Sequence, residues 1–267
     1  MKKIYIGLTA LLLSTALFSC KKNGIQVIDQ PISLTDNAQI KYFNNSVGSP
    51  SVNFYANDTK VTGILSTTGV EGATAFAGVY PQTGYSALPG GAYVFKAQIA
   101  SSATTDANLA IATTQSATLT NTKFYTLFLS GIYNTTSKSA DSFVLEDVLP
   151  AYDINFTYVR LVNTISNAPQ AFDLYMKNTT IPNATEVRVA SNIAYKSGSA
   201  FVSVPEGNYE LYIRYPSSAT TNVISRNGSS VVNMLGGKVY TLVTRGDMSI
   251  ASTTAATRPQ IDFTANR

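Results

Sequence analysis

Few residues in this chain could do chemistry, and their types settle much of what it can be. Its 267 residues hold no histidine, which excludes a Ser-His-Asp triad and any histidine-ligated metal. A Ser-Lys pair would survive that exclusion, but no Ser-x-x-Lys opens a helix. Glu146 and Asp147 are the most suggestive carboxylates. Neighbours on a strand point to opposite faces, so they form no dyad, and they read as a charged strand end beside a linker. Asp58 and Asp106 stand isolated, unlike the spaced ligands of a calcium loop. The glycines from Gly69 to Gly84, and Pro89–Gly91, lack the lysine and following helix of a phosphate cradle. No catalytic, metal or cofactor-binding residues are therefore expected. Five tyrosines, Tyr80, Tyr85, Tyr133, Tyr195 and Tyr215, fall near loops or strand ends. There they could stack on sugar rings or anchor a protein partner, or serve simply as strand residues with an apolar body.

The remaining reactive group is the single thiol, Cys20. Lys2 and Lys3 precede a mostly apolar run from Ile4 to Phe18, and Ser19 supplies a small residue before the thiol. This is the three-part grammar of an export signal. A membrane-spanning helix needs roughly 20 apolar residues, and Lys21 and Lys22 end this run sooner. Leu17–Phe18–Ser19–Cys20 resembles the lipobox of bacterial lipoproteins, in which the thiol takes a diacylglyceryl group. The resemblance implies a signal peptide at 1–19, lipidation at Cys20, and membrane attachment through that anchor at the outer membrane of the cell envelope. Residues 20–37, polar and lacking apolar periodicity, read as a tether. In the Bacteroidetes-type lipoproteins that this stretch resembles, surface display is often signalled by acidic residues soon after the cysteine. Lys21, Lys22 and Asn23 stand here instead, so the sequence leaves the membrane face open.

Removing Lys2 and Lys3 with the signal leaves 17 basic against 15 acidic residues. That balance, without a basic cluster interleaved with aromatics, excludes nucleic acid as a partner. With its one cysteine committed to lipid the chain has no disulfide framework, and stability must come from burial.

Internal repetition organises the rest. Ile40–Asn44 matches Val159–Asn163, Leu88–Tyr93 answers Val204–Tyr209, and Lys123–Leu127 returns as Lys238–Leu242. Ser101–Thr105 recurs unchanged as Ser217–Thr221, and Gly131 as Gly246. Period-2 alternation marks strands: Tyr209, Leu211 and Ile213 share one face against Glu210, Tyr212 and Arg214. Tyr93, Phe95, Ala97 and Ile99 do the same in the first copy. The triplets Pro89-Gly90-Gly91 and Pro205-Glu206-Gly207 read as tight turns. Asp262 and Phe263 are aligned with Asp147 and Val148, which makes Gln260–Phe263 the closing strand of the second copy. No helix-period run of useful length follows the signal. The expected fold class is all-β, with two tandem Ig-like/Greek-key β-sandwich domains at 38–150 and 156–267, joined by a short linker, Leu149–Asn155.

Both copies resemble the domain of unknown function 4397, found in bacterial surface proteins and often in tandem. Val159–Asn163, Ala168–Pro169, Asp173–Tyr175 and Val204–Tyr209 carry its pattern in the second copy. Ile40–Asn44, Pro50–Tyr55 and Leu88–Tyr93 carry it in the first. The family often places a histidine after the first strand, where Asn44 and Asn163 stand here, so no role of that imidazole transfers. The family brings no established activity. The reading that follows is a lipid-anchored, non-catalytic binding, adhesion or structural module, with a glycan or an envelope protein as its partner. The alternative is a carbohydrate-active enzyme or its accessory glycan-binding subunit, which would need two carboxylates facing one groove.

Overall fold

A computed structural model describes residues 36–63, 72–114 and 116–267. The signal segment, Cys20 and most of the tether lie outside the described residues, as does part of the glycine-rich stretch beginning at Gly69. The described chain is all-β, with twenty-one strands, one 3-10 turn at Gly228–Ser230 and no α-helix. Both sheet pairs belong to one compact unit.

Each repeat builds two main sheets by the same route, and the first adds a separate two-stranded pair, Gly91–Tyr93 with Ala117–Leu119. In the first, the opening strand Ala38–Asn44 lies parallel to the central strand Phe124–Asn134, which pairs antiparallel with the closing strand Ser139–Glu146. In the second, Thr157–Asn163, Val239–Arg245 and Gln260–Ala265 take those places. Parallel neighbours need a long crossover. That crossover supplies the second sheet, ordered around Val52–Ala56 and Phe95–Ile99 in one repeat and around Phe172–Asn178 and Gly207–Arg214 in the other.

The alternating residues meet between the sheets. Ile40, Tyr42, Phe54, Phe95, Leu127 and Leu129 share one core. Val159, Leu161, Phe172, Leu174, Leu211 and Leu242 share the other. The Pro-x-Gly turns are tied by the tyrosine that follows them. Tyr93 Oη donates to Pro89 O at 2.8 Å, and Tyr209 Oη to Pro205 O at 2.7 Å. These are tyrosine corners, in which an aromatic body enters the core while its hydroxyl pins the turn.

Alternation predicts one buried and one solvated face for each strand. The opening strand Ala38–Asn44 is instead buried along its whole length. Its outward residue Phe43 joins Phe128 of the first repeat and Val162 and Val243 of the second in a third, smaller core. Phe43 and Phe143 stack on either side of Phe128, with ring centroids about 5 Å away. Outward faces become interior because the two corresponding sheets pack against each other.

The pairing also corrects the closing-strand alignment. Tyr125 faces Glu146, and its counterpart Tyr240 faces Ala265. The amide of Asp147 donates to Phe124 O, and that of Asn266 to Val239 O, both at 2.7 Å. Asp147 therefore corresponds to Asn266, and Asp262 to Phe143. The expected match of Asp262 with Asp147 is four residues out of register. Two adjacent residue types resembled each other across a loop whose length differs between the copies, and ladder hydrogen bonds fix the register where letters could not.

Candidate functional site

The junction of the repeats gathers a connected group of buried polar side chains. Arg160, on the second opening strand, and Asp147, just past the first closing strand, form an ion pair with both side chains almost wholly buried. Thr126 Oγ1 and Tyr85 Oη donate to Asp147 Oδ2 at 2.6 and 2.7 Å. Arg160 Nε donates to Thr241 Oγ1 at 3.0 Å, Thr241 Oγ1 donates to Asn266 Oδ1 at 2.8 Å, and Asn266 Nδ2 reaches Tyr85 Oη. Lys41, fully buried, donates through Nζ to Ala265 O at 2.8 Å. A buried charge is tolerated only when paired and hydrogen-bonded, and this mesh supplies those partners from both repeats.

The network follows an approximate two-fold relation. Lys41 corresponds to Arg160, Thr126 to Thr241, Asp147 to Asn266. The charges do not follow that relation, because two cations face one carboxylate. Burial pulls the Lys41 ammonium down to about 8; Asp147 opposes that pull and Arg160 adds to it. Burial pushes the Tyr85 hydroxyl well above its ordinary range, and the charge of Asp147 adds to the effect.

At the other end of the junction Tyr195 Oη donates to Asp141 Oδ2 at 2.8 Å and lies 3.1 Å from Ser130 Oγ. Lys196 Nζ stands 2.9 Å from Asp141 Oδ1. Burial alone would raise the Asp141 carboxyl, but Lys196 and Tyr195 outweigh it and hold the carboxyl low. The backbone of Gly131 donates to Thr164 O at 3.1 Å.

The residues singled out from sequence disperse. Tyr85 and Tyr195 bridge the repeats at opposite ends. Tyr80 and Tyr133 pack against the first core, and Tyr215 stacks on Phe172 at 5.8 Å. They form no shared platform. Asp147 is not the solvated strand end expected of it, whereas Glu146 is exposed and meets Lys123 at 3.0 Å. Asp58 pairs with Lys96, and Asp106 with Lys138. Among the described residues, no three His, Cys, Asp or Glu side chains gather closely enough to hold a metal. Asn44 and Asn163 are buried and tie their strand ends to segments 30 residues further along the chain. Asn44 Nδ2 donates to Thr74 O at 3.0 Å and Asn163 Nδ2 to Ile193 O at 3.2 Å.

Among the described residues, the second repeat carries two pockets of contrasting character. One pocket of about 330 Å³ is apolar, lined in part by Met176, Ile181, Val187 and Val189. Another, of about 390 Å³, is polar and includes Arg226, Arg258, Gln260 and Asp262. At the seam between repeats Phe43, Asn45, Arg226 and Phe263 help line a groove of about 200 Å³.

The architecture and its junction define an all-β scaffold of two sandwich repeats packed against each other. The chain belongs to the family described as domain of unknown function (DUF4397), whose pattern matches residues 38–175 and again 157–266. Comparison with curated proteins returned no match. Among solved structures the chain is similar to the TIE protein of Bacillus anthracis, with 9% identity and a TM-score of 0.23 over 79% of this chain. It spans 34% of that protein's length. It is also similar to a candidate cell adhesion protein of Bacteroides ovatus, with 11% identity, a TM-score of 0.25, and coverage of 87% of this chain and 96% of that one. A candidate cell adhesion protein of Bacteroides fragilis gives 9% identity, a TM-score of 0.24, and coverage of 87% and 98%.

Proposed function

We propose that this protein is a lipid-anchored module of the cell envelope that binds its target and does not transform it. The anchor is the acylated thiol of Cys20, and the outer membrane is its address. Leu17–Phe18–Ser19–Cys20 behind an export signal supports that part. One acyl chain holds only marginally, and the two or three expected on such a cysteine hold stably.

Binding in preference to catalysis is carried by one observation: the groups that could do chemistry are engaged in holding the fold. Asp147 is neutralised by Arg160 inside the junction, and Glu146, Asp141 and Asp173 meet Lys123, Lys196 and Arg188. A carboxylate already paired with a cation, or closed inside the junction, is not presented to a substrate. The fused repeats instead offer a rigid platform whose loops and shallow pockets take a glycan or an envelope protein.

Fractionation tests the anchor. The wild type should sediment with outer membranes and the Cys20→Ala variant should not; a variant that still sediments refutes lipidation. Binding is tested with that soluble variant on glycan arrays and envelope extracts, where a saturable target is expected. Turnover of any bound glycan would overturn the non-catalytic reading.

A further inference from the structure

The chain enters the described fold at one end of the molecule, and that end is unusually apolar. Asn37 O accepts the amide of Thr122 at 3.0 Å, and its counterpart Phe156 O accepts the amide of Gly237 at 2.7 Å. The starts of both opening strands are at the same end, because the network around Lys41, Asp147 and Asn266 joins them, while Gly131, Thr164 and Tyr195 join the opposite ends. Around this entry stand Val148, Tyr152, Ile154, Phe156 and Leu235, respectively 72, 66, 61, 42 and 52% exposed. Tyr152 borders the Leu235–Lys238 turn, since a Cβ on Gly237 would lie 2.9 Å from its ring. Arg267 connects the same segment, donating to Pro150 O at 2.9 Å with its guanidinium 5.8 Å from the centre of the Tyr152 ring. A monomer seldom leaves so many large apolar side chains together in water.

We infer that this end rests on the lipid bilayer, with Tyr152, Ile154 and Phe156 entering the headgroup boundary. The inference rests on the anchor reading above. Sixteen residues separate Cys20 from Asn37. A random coil of that length would average on the order of 20 Å end to end, which would keep this end near the membrane. Aromatic rings with one polar edge favour that boundary, and exposed Lys238 and Arg267 beside them suit anionic headgroups. The apolar pocket of the second repeat has no comparable tie to a known neighbour.

The chain contains no tryptophan, so introduced tryptophans report without background. Tyr152→Trp labels the proposed face. Ile132→Trp, at an exposed position near the opposite end of the junction, is the control. Each full-length protein is placed on vesicles of phosphatidylethanolamine and phosphatidylglycerol carrying brominated acyl chains. Protein already acylated is reconstituted directly; protein with a free Cys20 thiol is coupled through it to a maleimide lipid. Attachment is thereby secured whether or not the cell acylates Cys20, so failure of the anchor reading shows by mass and failure of this inference by fluorescence. Expected are a blue shift and strong quenching for Tyr152→Trp, with neither for Ile132→Trp. Equal emission from both positions, or quenching only at the control, overturns the inference and leaves the apolar end to a protein partner.

Discussion

Asp147 and Asn266 occupy the same place in their repeats, yet only Asp147 carries charge. Each directly follows a closing strand, each is buried, and each accepts a hydrogen bond from the threonine of its central strand at 2.6 or 2.8 Å. The difference decides the electrostatics of the junction. Arg160 finds a carboxylate across it, whereas Lys41 finds the Ala265 carbonyl. Backbone approximates a symmetric pair, and side chains make the interface directional.

Removing Arg160 should therefore be severe. Arg160→Met leaves the buried Asp147 carboxylate without its direct ion-pair partner and with only the more distant charge of Lys41, a loss of about 3–5 kcal/mol. Adding Asp147→Asn, which copies its counterpart Asn266, should recover most of it. Urea unfolding of the single and double variants measures both, and a double variant as unstable as the single one would show that the hydrogen bonds, not the charges, matter.

Lys41 predicts a rise of stability in alkali. Its folded pKa of about 8 lies below the ordinary 10.5, so between these values the unfolded chain holds a proton that the folded chain has released. Stability then grows with pH, by on the order of 2 kcal/mol between pH 8 and 10. Above about pH 10 the buried hydroxyls of Tyr42, Tyr85 and Tyr195, pushed up chiefly by burial, act the other way, because the unfolded chain ionises them first. The difference between wild type and Lys41→Met across pH 7–10 isolates the lysine; parallel curves would contradict the assignment.

Gly131 combines two constraints. Its φ of +74° suits glycine, and a Cβ there would lie 2.6 Å from Tyr195 Oη. Gly131→Ala should cost about 1–3 kcal/mol. Tyr195→Phe in the same chain should return the part due to the hydroxyl clash. A double-mutant cycle with no coupling would place the whole cost in the backbone.

The tyrosine corners should differ in strength. Tyr209→Phe loses the bond to Pro205 O and a contact with Asn178 Nδ2 at 3.2 Å, inside the fold, and should cost about 1–2 kcal/mol. Tyr93→Phe breaks an exposed bond and should cost less. Thermal melts of the two variants rank them.

What could be read from the chain alone was whatever depends on neighbours in sequence. The alternation of Tyr209, Leu211 and Ile213, the Pro-x-Gly turns and the matching pairs Tyr125 and Tyr240 set an all-β fold built twice, because strand period and turn chemistry are local properties. Lipidation at Cys20 belongs to that reading too, as an expectation from a motif. What only the tertiary structure decided was how the copies meet. Asp147 looked like a charged strand end, and Asp262 like the counterpart of Asp147 in the second copy. Burial of Phe43 is conferred by a sheet more than a hundred residues away, that of Asp147 by Arg160, Tyr85 and Asn266 from three separate segments, and the register by ladder bonds across a loop of unequal length. No pattern within one strand encodes which face another strand will cover.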